Sequence, residues 1–191
     1  MVTYIALLRG INVSGQKLIL MEELRSSIEA LGMVNVRTYI QSGNIVFNSK
    51  KPGKESPKSL SEKIHDQILD NFGFEVVVII RTATELKRII EHNPFLKEKP
   101  FPDVKNLYTI FLSHKPKQSA LLGLNKWVSP QDQFRHHELT IYLHLINGYG
   151  KTKLSNSNIE KILSLQSTAR NWNTVTKLYE MSIEKLTIKS S

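Results

Sequence analysis

The hydrophobic pattern most limits the fold open to this chain. Apolar residues come in short runs of strand length, bounded by glycine, proline or asparagine. Between them lie longer stretches whose apolar residues return every three or four positions. Thr3–Leu8 reads as a buried strand. Met21–Leu31 reads as a helix, with Leu24, Ile28 and Leu31 on one face and Gly32 at its end. Val34–Ile40 alternates as a half-buried strand, Gln41–Asn44 turns, and Ile45–Phe47 returns. Ser49–Lys58 has no periodicity and reads as a loop. Leu60, Ile64, Ile68 and Phe72 then mark a second helix near Ser59–Phe72, closed by Gly73. Phe74–Ile80 is a continuous apolar strand. Thr82 and Glu85 form a capping box for a third helix, which Asn93-Pro94 ends.

The second half repeats this order. Leu107–Leu112 is a strand, Pro116–Leu124 a short helix, and Gln133–His136 with Leu139–Leu145 a hairpin. Ser155 caps a helix carrying Ile159, Ile162 and Leu163, and a last helix runs from about Asn173 to Leu186. A β-α-β-β-α unit thus occurs twice, as pattern and not as identity. The expected class is α+β, with two ferredoxin-like, split β-α-β halves and a C-terminal helix. The expected division is 1–93, a linker at 94–106 rich in proline and charge, and 107–191. Helices cover one face of such a sheet only, so a cleft between the two units is the economical expectation.

Composition narrows the function classes. The chain has 191 residues, ample for a core without staples, and no cysteine, so nothing argues for an oxidising compartment and a cytoplasmic location is expected. No apolar run is long enough to span a bilayer, and the first apolar run stops at Arg9 without a basic leader before it. Membrane partners are not expected. The net charge of +9 attracts nucleic acid and phosphorylated ligands, but it is spread along the chain with no block of five like charges.

Four polar segments stand out. Arg9–Lys17 follows a strand and precedes a helix, with Gly10 and Gly15 letting backbone amides approach an anion, or simply letting the loop turn. Tyr39–Asn44 places Gln41, Ser42 and Asn44 in one tight turn. Gly148–Lys153 resembles the end of a phosphate-binding loop, but Leu145 stands where that motif needs glycine, so a nucleotide triphosphatase is rejected. Ser167–Thr174 sets Arg170 and Trp172 at the start of the last helix. There Arg170 can fork onto an anion, or Thr168, Asn171 or Asn173 can serve as a cap. The six histidines lack metal-ligand spacing, and no nucleophile–base pair or paired-carboxylate motif is visible. Asn44–Asn48 lacks the aromatic pattern with which an RNA-reading sheet of the same strand order stacks bases.

Taken together, Arg9-Gly-Ile-Asn-Val13, Arg37–Phe47 with its Tyr-Ile-Gln-Ser-Gly-Asn core, Gly150–Leu154, and Thr168–Val175 with Arg-Asn-Trp-Asn-Thr-Val resemble the domain-of-unknown-function family 1697 (DUF1697), found mainly in bacteria. The resemblance extends over nearly the whole chain. It implies two α+β, ferredoxin-like halves and no particular activity. Ser14-Gly15 stands where the family shows Gly-Gly, and Lys151-Thr152 where it shows Arg-Ser. Lysine keeps the charge there but loses the planar fork.

The expectation is a protein that holds an anionic, phosphate- or carboxylate-bearing ligand in the cleft between its units. Arg9, Lys17 and Arg170 supply charge. Asn12, Gln41, Ser42, Asn44 and Asn171 supply neutral hydrogen bonds, and Lys151 and Lys153 form a basic rim. No cofactor or metal is expected, and catalysis is left open. The alternatives are binding of a nucleic-acid backbone, or a non-catalytic interaction module whose polar loops fasten the halves together. Oligomeric state is not readable from the sequence.

Overall fold

The computed structural model describes residues 1–49 and 55–184. The chain folds as β1 (Val2–Leu8), α1 (Met21–Ala30), β2 (Val34–Tyr39), β3 (Asn44–Ser49), α2 (Pro57–Phe72), β4 (Val78–Thr82) and α3 (Ala83–Glu91). It continues as β5 (Leu107–Leu112), α4 (Gln118–Leu124), β6 (Asp132–His137), β7 (Thr140–Leu145), α5 (Asn156–Leu163), β8 (Ser167–Asn171) and α6 (Trp172–Ile183). It is a mixed α+β fold with two four-stranded antiparallel sheets, ordered β2-β3-β1-β4 and β6-β7-β5-β8.

Local chemistry accounts for the helix boundaries. Ser56 caps α2 by accepting the Ser59 N–H, Pro57 occupies its first turn, and Gly73 ends it in the left-handed region. The capping box at Thr82 and Glu85 opens α3 as the sequence indicates. Two expectations need correction. The apolar run at 74–80 becomes a strand only from Val78. Ser167–Asn171, read as the approach to the last helix, is instead strand β8, paired to β5. Its buried positions hold serine, threonine and arginine, which hydropathy does not register. The expected loop 49–58 and the final helix to Leu186 lie partly outside the described residues.

Period-two alternation divides each central strand between two cores. Tyr4, Ala6 and Leu8 face α1 and α2, whereas Ile5 and Leu7 face the middle of the molecule. In the second sheet Ile110 and Leu112 face α4 and α5, whereas Leu107 and Phe111 face the middle. There α3 and α6 pack on each other, and α6 touches strands of both sheets. Phe95, inside the expected linker, is fully buried in this shared layer. Tyr142 Oη crosses it to donate to Ile89 O at 2.9 Å, and burial pushes the Tyr142 hydroxyl pKa well up. Tyr142→Phe removes one buried hydrogen bond and leaves an acceptor unpaired. It is expected to cost about 1–2 kcal/mol in urea unfolding with an unchanged m-value.

Candidate functional site

The two halves meet through a pair of arginines in matching positions. Arg81 is the penultimate residue of β4 and lies opposite Ile5; Arg170 is the penultimate residue of β8 and lies opposite Thr109. Each precedes the N-cap of the following helix, Thr82 for α3 and Asn171 for α6. Each also reaches the other half at the same two places. Arg170 Nη2 donates to Leu8 O, the last carbonyl of β1, and to the carbonyls of Ser42 and Gly43 in the β2–β3 turn, at 2.7, 3.0 and 3.3 Å. Arg81 Nη2 donates to Leu112 O, the last carbonyl of β5, and to Leu139 O in the β6–β7 turn, at 2.6 and 3.2 Å. The backbone repeats the match: Leu8 N–H donates to Gly43 O at 2.8 Å, and Leu112 N–H to Leu139 O at 2.9 Å.

The pair differs in what is left over. Arg170 Nε donates to Asn44 Oδ1 at 2.5 Å, and Nη1 to Thr168 Oγ1 and Ala169 O at 2.8 and 2.7 Å, so every donor is engaged. At the Arg81 side, Thr140 stands where Asn44 does, and Ile79 where Thr168 does. Arg81 Nη1 has only Ile80 O, at 2.8 Å, and its Nε has no partner among the described residues. Among the described residues the sealed, partnerless side-chain atoms are Arg37 Nε and Thr109 Oγ1. Arg81 Nε, equally partnerless, therefore keeps contact with open space. Arg81 is 5% exposed and Arg170 7%. Burial pulls both guanidinium pKa values from 12.5 to about 10, opposed weakly by Glu85 at Arg81 and by Tyr149 at Arg170, so both stay cationic at neutral pH.

The residues picked from the sequence are partly brought together. Arg170, Ser42 and Asn44 form one hydrogen-bonded junction, in which Asn44 Nδ2 also donates to Ser42 Oγ at 3.0 Å. Asn12 joins it from the side: its amide donates to Gln41 O at 2.9 Å and Ile19 O at 3.0 Å, and its oxygen accepts Ile19 N–H. Gln41 itself is exposed. Asn171 caps α6 by accepting the Thr174 N–H at 2.8 Å. Arg9 pairs with Glu160 at 2.9 Å, and Lys17 Nζ donates to Glu75 O at 2.6 Å. Both line a cavity of about 500 Å³ that also holds Glu62, Asp66 and Glu75. Lys151 and Lys153 are exposed on the segment before α5 and have no side-chain partner among the described residues. Arg170 does not line the cavities of about 920, 500 and 360 Å³, and its guanidinium donors are all taken up within the junction.

The open space lies at Arg81. A cavity of about 920 Å³ runs along the outer edge of β4. The start of α2, with Ser56, Lys58 and Ser61, forms one wall, and Ser113, His114 and Gln166 form the other. Arg81 and Glu85 also line an adjoining cavity of about 360 Å³. Among the described residues no cluster of three or more histidine or acidic side chains is placed to hold a metal, and no helix is long and apolar enough to cross a membrane. The sequence does carry a sign of Arg81: it is the one charge in Val76-Val-Val-Ile-Ile-Arg-Thr82, a run otherwise apolar up to its cap.

With that geometry in place, the chain can be set beside known proteins. A family model described as Protein of unknown function (DUF1697) matches residues 1–142. The chain belongs to this family. The matched region includes Arg81 and stops before Arg170. Among solved structures, the conserved bacterial protein SP0830 from Streptococcus pneumoniae is similar, with a TM-score of 0.74 at 23% identity over 95% of this chain and 98% of that one. At that identity the likeness concerns the fold alone. No curated protein matches.

Proposed function

We propose that this member of the DUF1697 family binds a small anionic ligand in the cleft beside β4, with Arg81 as the anchor. The single observation behind this reading is the contrast between the two matched arginines. Arg170 has no donor left for a ligand, whereas Arg81, which lines a cavity of about 920 Å³, keeps an Nε–H without a partner among the described residues. The Arg170 junction supports a second role for the polar loops, that of fasteners between the halves. The strand order and the doubled β-α-β-β-α-β-α succession support reading each half as ferredoxin-like, 1–93 and 107–191, joined through 94–106.

The test is a ¹H–¹⁵N spectrum of the arginine Nε–H groups of the full chain, titrated with sodium acetate and with inorganic phosphate at constant ionic strength. Arg81, assigned by the loss of its peak in Arg81→Lys, is expected to shift saturably with at least one of these anions. Arg170 is expected to stay put. No saturable shift at Arg81 with either anion overturns the reading.

A further inference from the structure

The outer edge of β4 identifies the class of anion. Arg9 N–H donates to Val77 O at 2.9 Å, which sets the ladder so that Ile79 and Arg81 turn their backbone groups toward β1. Val78, Ile80 and Thr82 therefore turn theirs toward the cleft. On that side the acceptors are already filled. Ser61 Oγ donates to Val78 O at 2.5 Å, and Arg81 Nη1 to Ile80 O at 2.8 Å. Thr82 N–H is taken by the Glu85 carboxylate at 2.7 Å. What remains is a row of donors: the N–H groups of Val78 and Ile80, without partners among the described residues, and Arg81 Nε–H. An added peptide strand offers N–H and C=O groups alternately and would find no acceptors here. A group made only of acceptors suits the edge.

The walls restrict the rest of the ligand. Pro57, Val78, Ile79, Ile80, Leu139 and Leu165 line the same cavity, an apolar surface longer than a bare anion can cover. Glu62 and Glu85 also line it. Glu85 is held by the Thr82 cap, and Glu62 lies 3.8 Å from Lys58. Lys58 and Arg81 are thus matched by Glu62 and Glu85, which leaves no surplus positive charge in the lining to balance a second negative charge on the ligand. Resting on the cleft reading above, the geometry points to a monocarboxylate with an apolar body, such as an alkyl or aryl acid. Its carboxylate sits against the β4 donors and Arg81, and its body lies along Leu139 and Leu165. Each methylene withdrawn from water favours such a ligand over acetate.

Isothermal titration of the full chain with octanoate, acetate and inorganic phosphate tests this, read together with the Arg81 Nε–H signal. Octanoate is expected to bind at least tenfold more tightly than either other probe and to shift that signal. Arg81→Gln is expected to weaken octanoate at least tenfold. Ser61→Glu, which leaves Arg81 in place and sets a further carboxylate at the head-group position, is expected to weaken it similarly. Phosphate binding more tightly than octanoate, with the Arg81 signal still moving, overturns the monocarboxylate class and leaves the cleft reading standing. Octanoate binding that neither substitution weakens overturns the placement. Failure of all three probes to move Arg81 overturns the cleft reading as well.

Discussion

Arg170→Ala is expected to lower stability by about 3–5 kcal/mol, or roughly 6–20 °C in Tm for a chain of this length. One buried guanidinium serves the end of β1, the β2–β3 turn and its own strand. Alanine leaves Leu8 O and Asn44 Oδ1 without this donor. Arg170→Lys keeps the charge but offers a compact ammonium in place of a planar fan of donors, so it is expected to recover only part of the loss. Thermal and urea melts of the three proteins check this. A loss below 1 kcal/mol in Arg170→Ala would show that the junction is held by something else.

Gly43→Ala carries the next largest expected effect, about 2–4 kcal/mol. Gly43 has φ +74°, where a side chain is strained, and an added Cβ would stand 2.6 Å from Leu8 Cβ and 3.0 Å from Ile11 Cδ1. Neither neighbour can withdraw. Leu8 is fixed by the β1 ladder, its N–H donates to Gly43 O, and Ile11 is buried. Relief by shifting the turn moves the Ser42 and Gly43 carbonyls away from Arg170. Gly43→Ala and Arg170→Ala should therefore be less than additive in the double variant, because both damage the same junction. Full additivity in chemical melts would mean that the turn and the arginine act separately.

Much of this architecture is legible in the sequence because it rests on local signals. Period-four apolar residues mark α2, the Thr82–Glu85 box marks α3, and alternation marks β7. Strand β8 is not legible, since Ser167, Thr168 and Arg170 are buried polar residues, and Thr168 and Arg170 reach Leu8 near the other end of the chain. The polar loops are visible too, but their meaning depends on pairing. Asn12, Asn44 and Arg170 have the composition of a binding site and the hydrogen bonds of a joint. Arg81 is marked in the sequence only as a lone charge. It lies in an apolar strand, and only the three-dimensional match with Arg170 reveals that its donors are incompletely used.

That difference is open to one direct measurement, the rate at which the arginine Nε–H protons exchange with solvent in the unliganded full chain. The Arg170 Nε–H, donating to Asn44, is expected to exchange orders of magnitude more slowly than the Arg81 Nε–H, which has no partner among the described residues. Equal protection of the two, or slower exchange at Arg81, would contradict the assignment of one arginine to fastening and the other to binding.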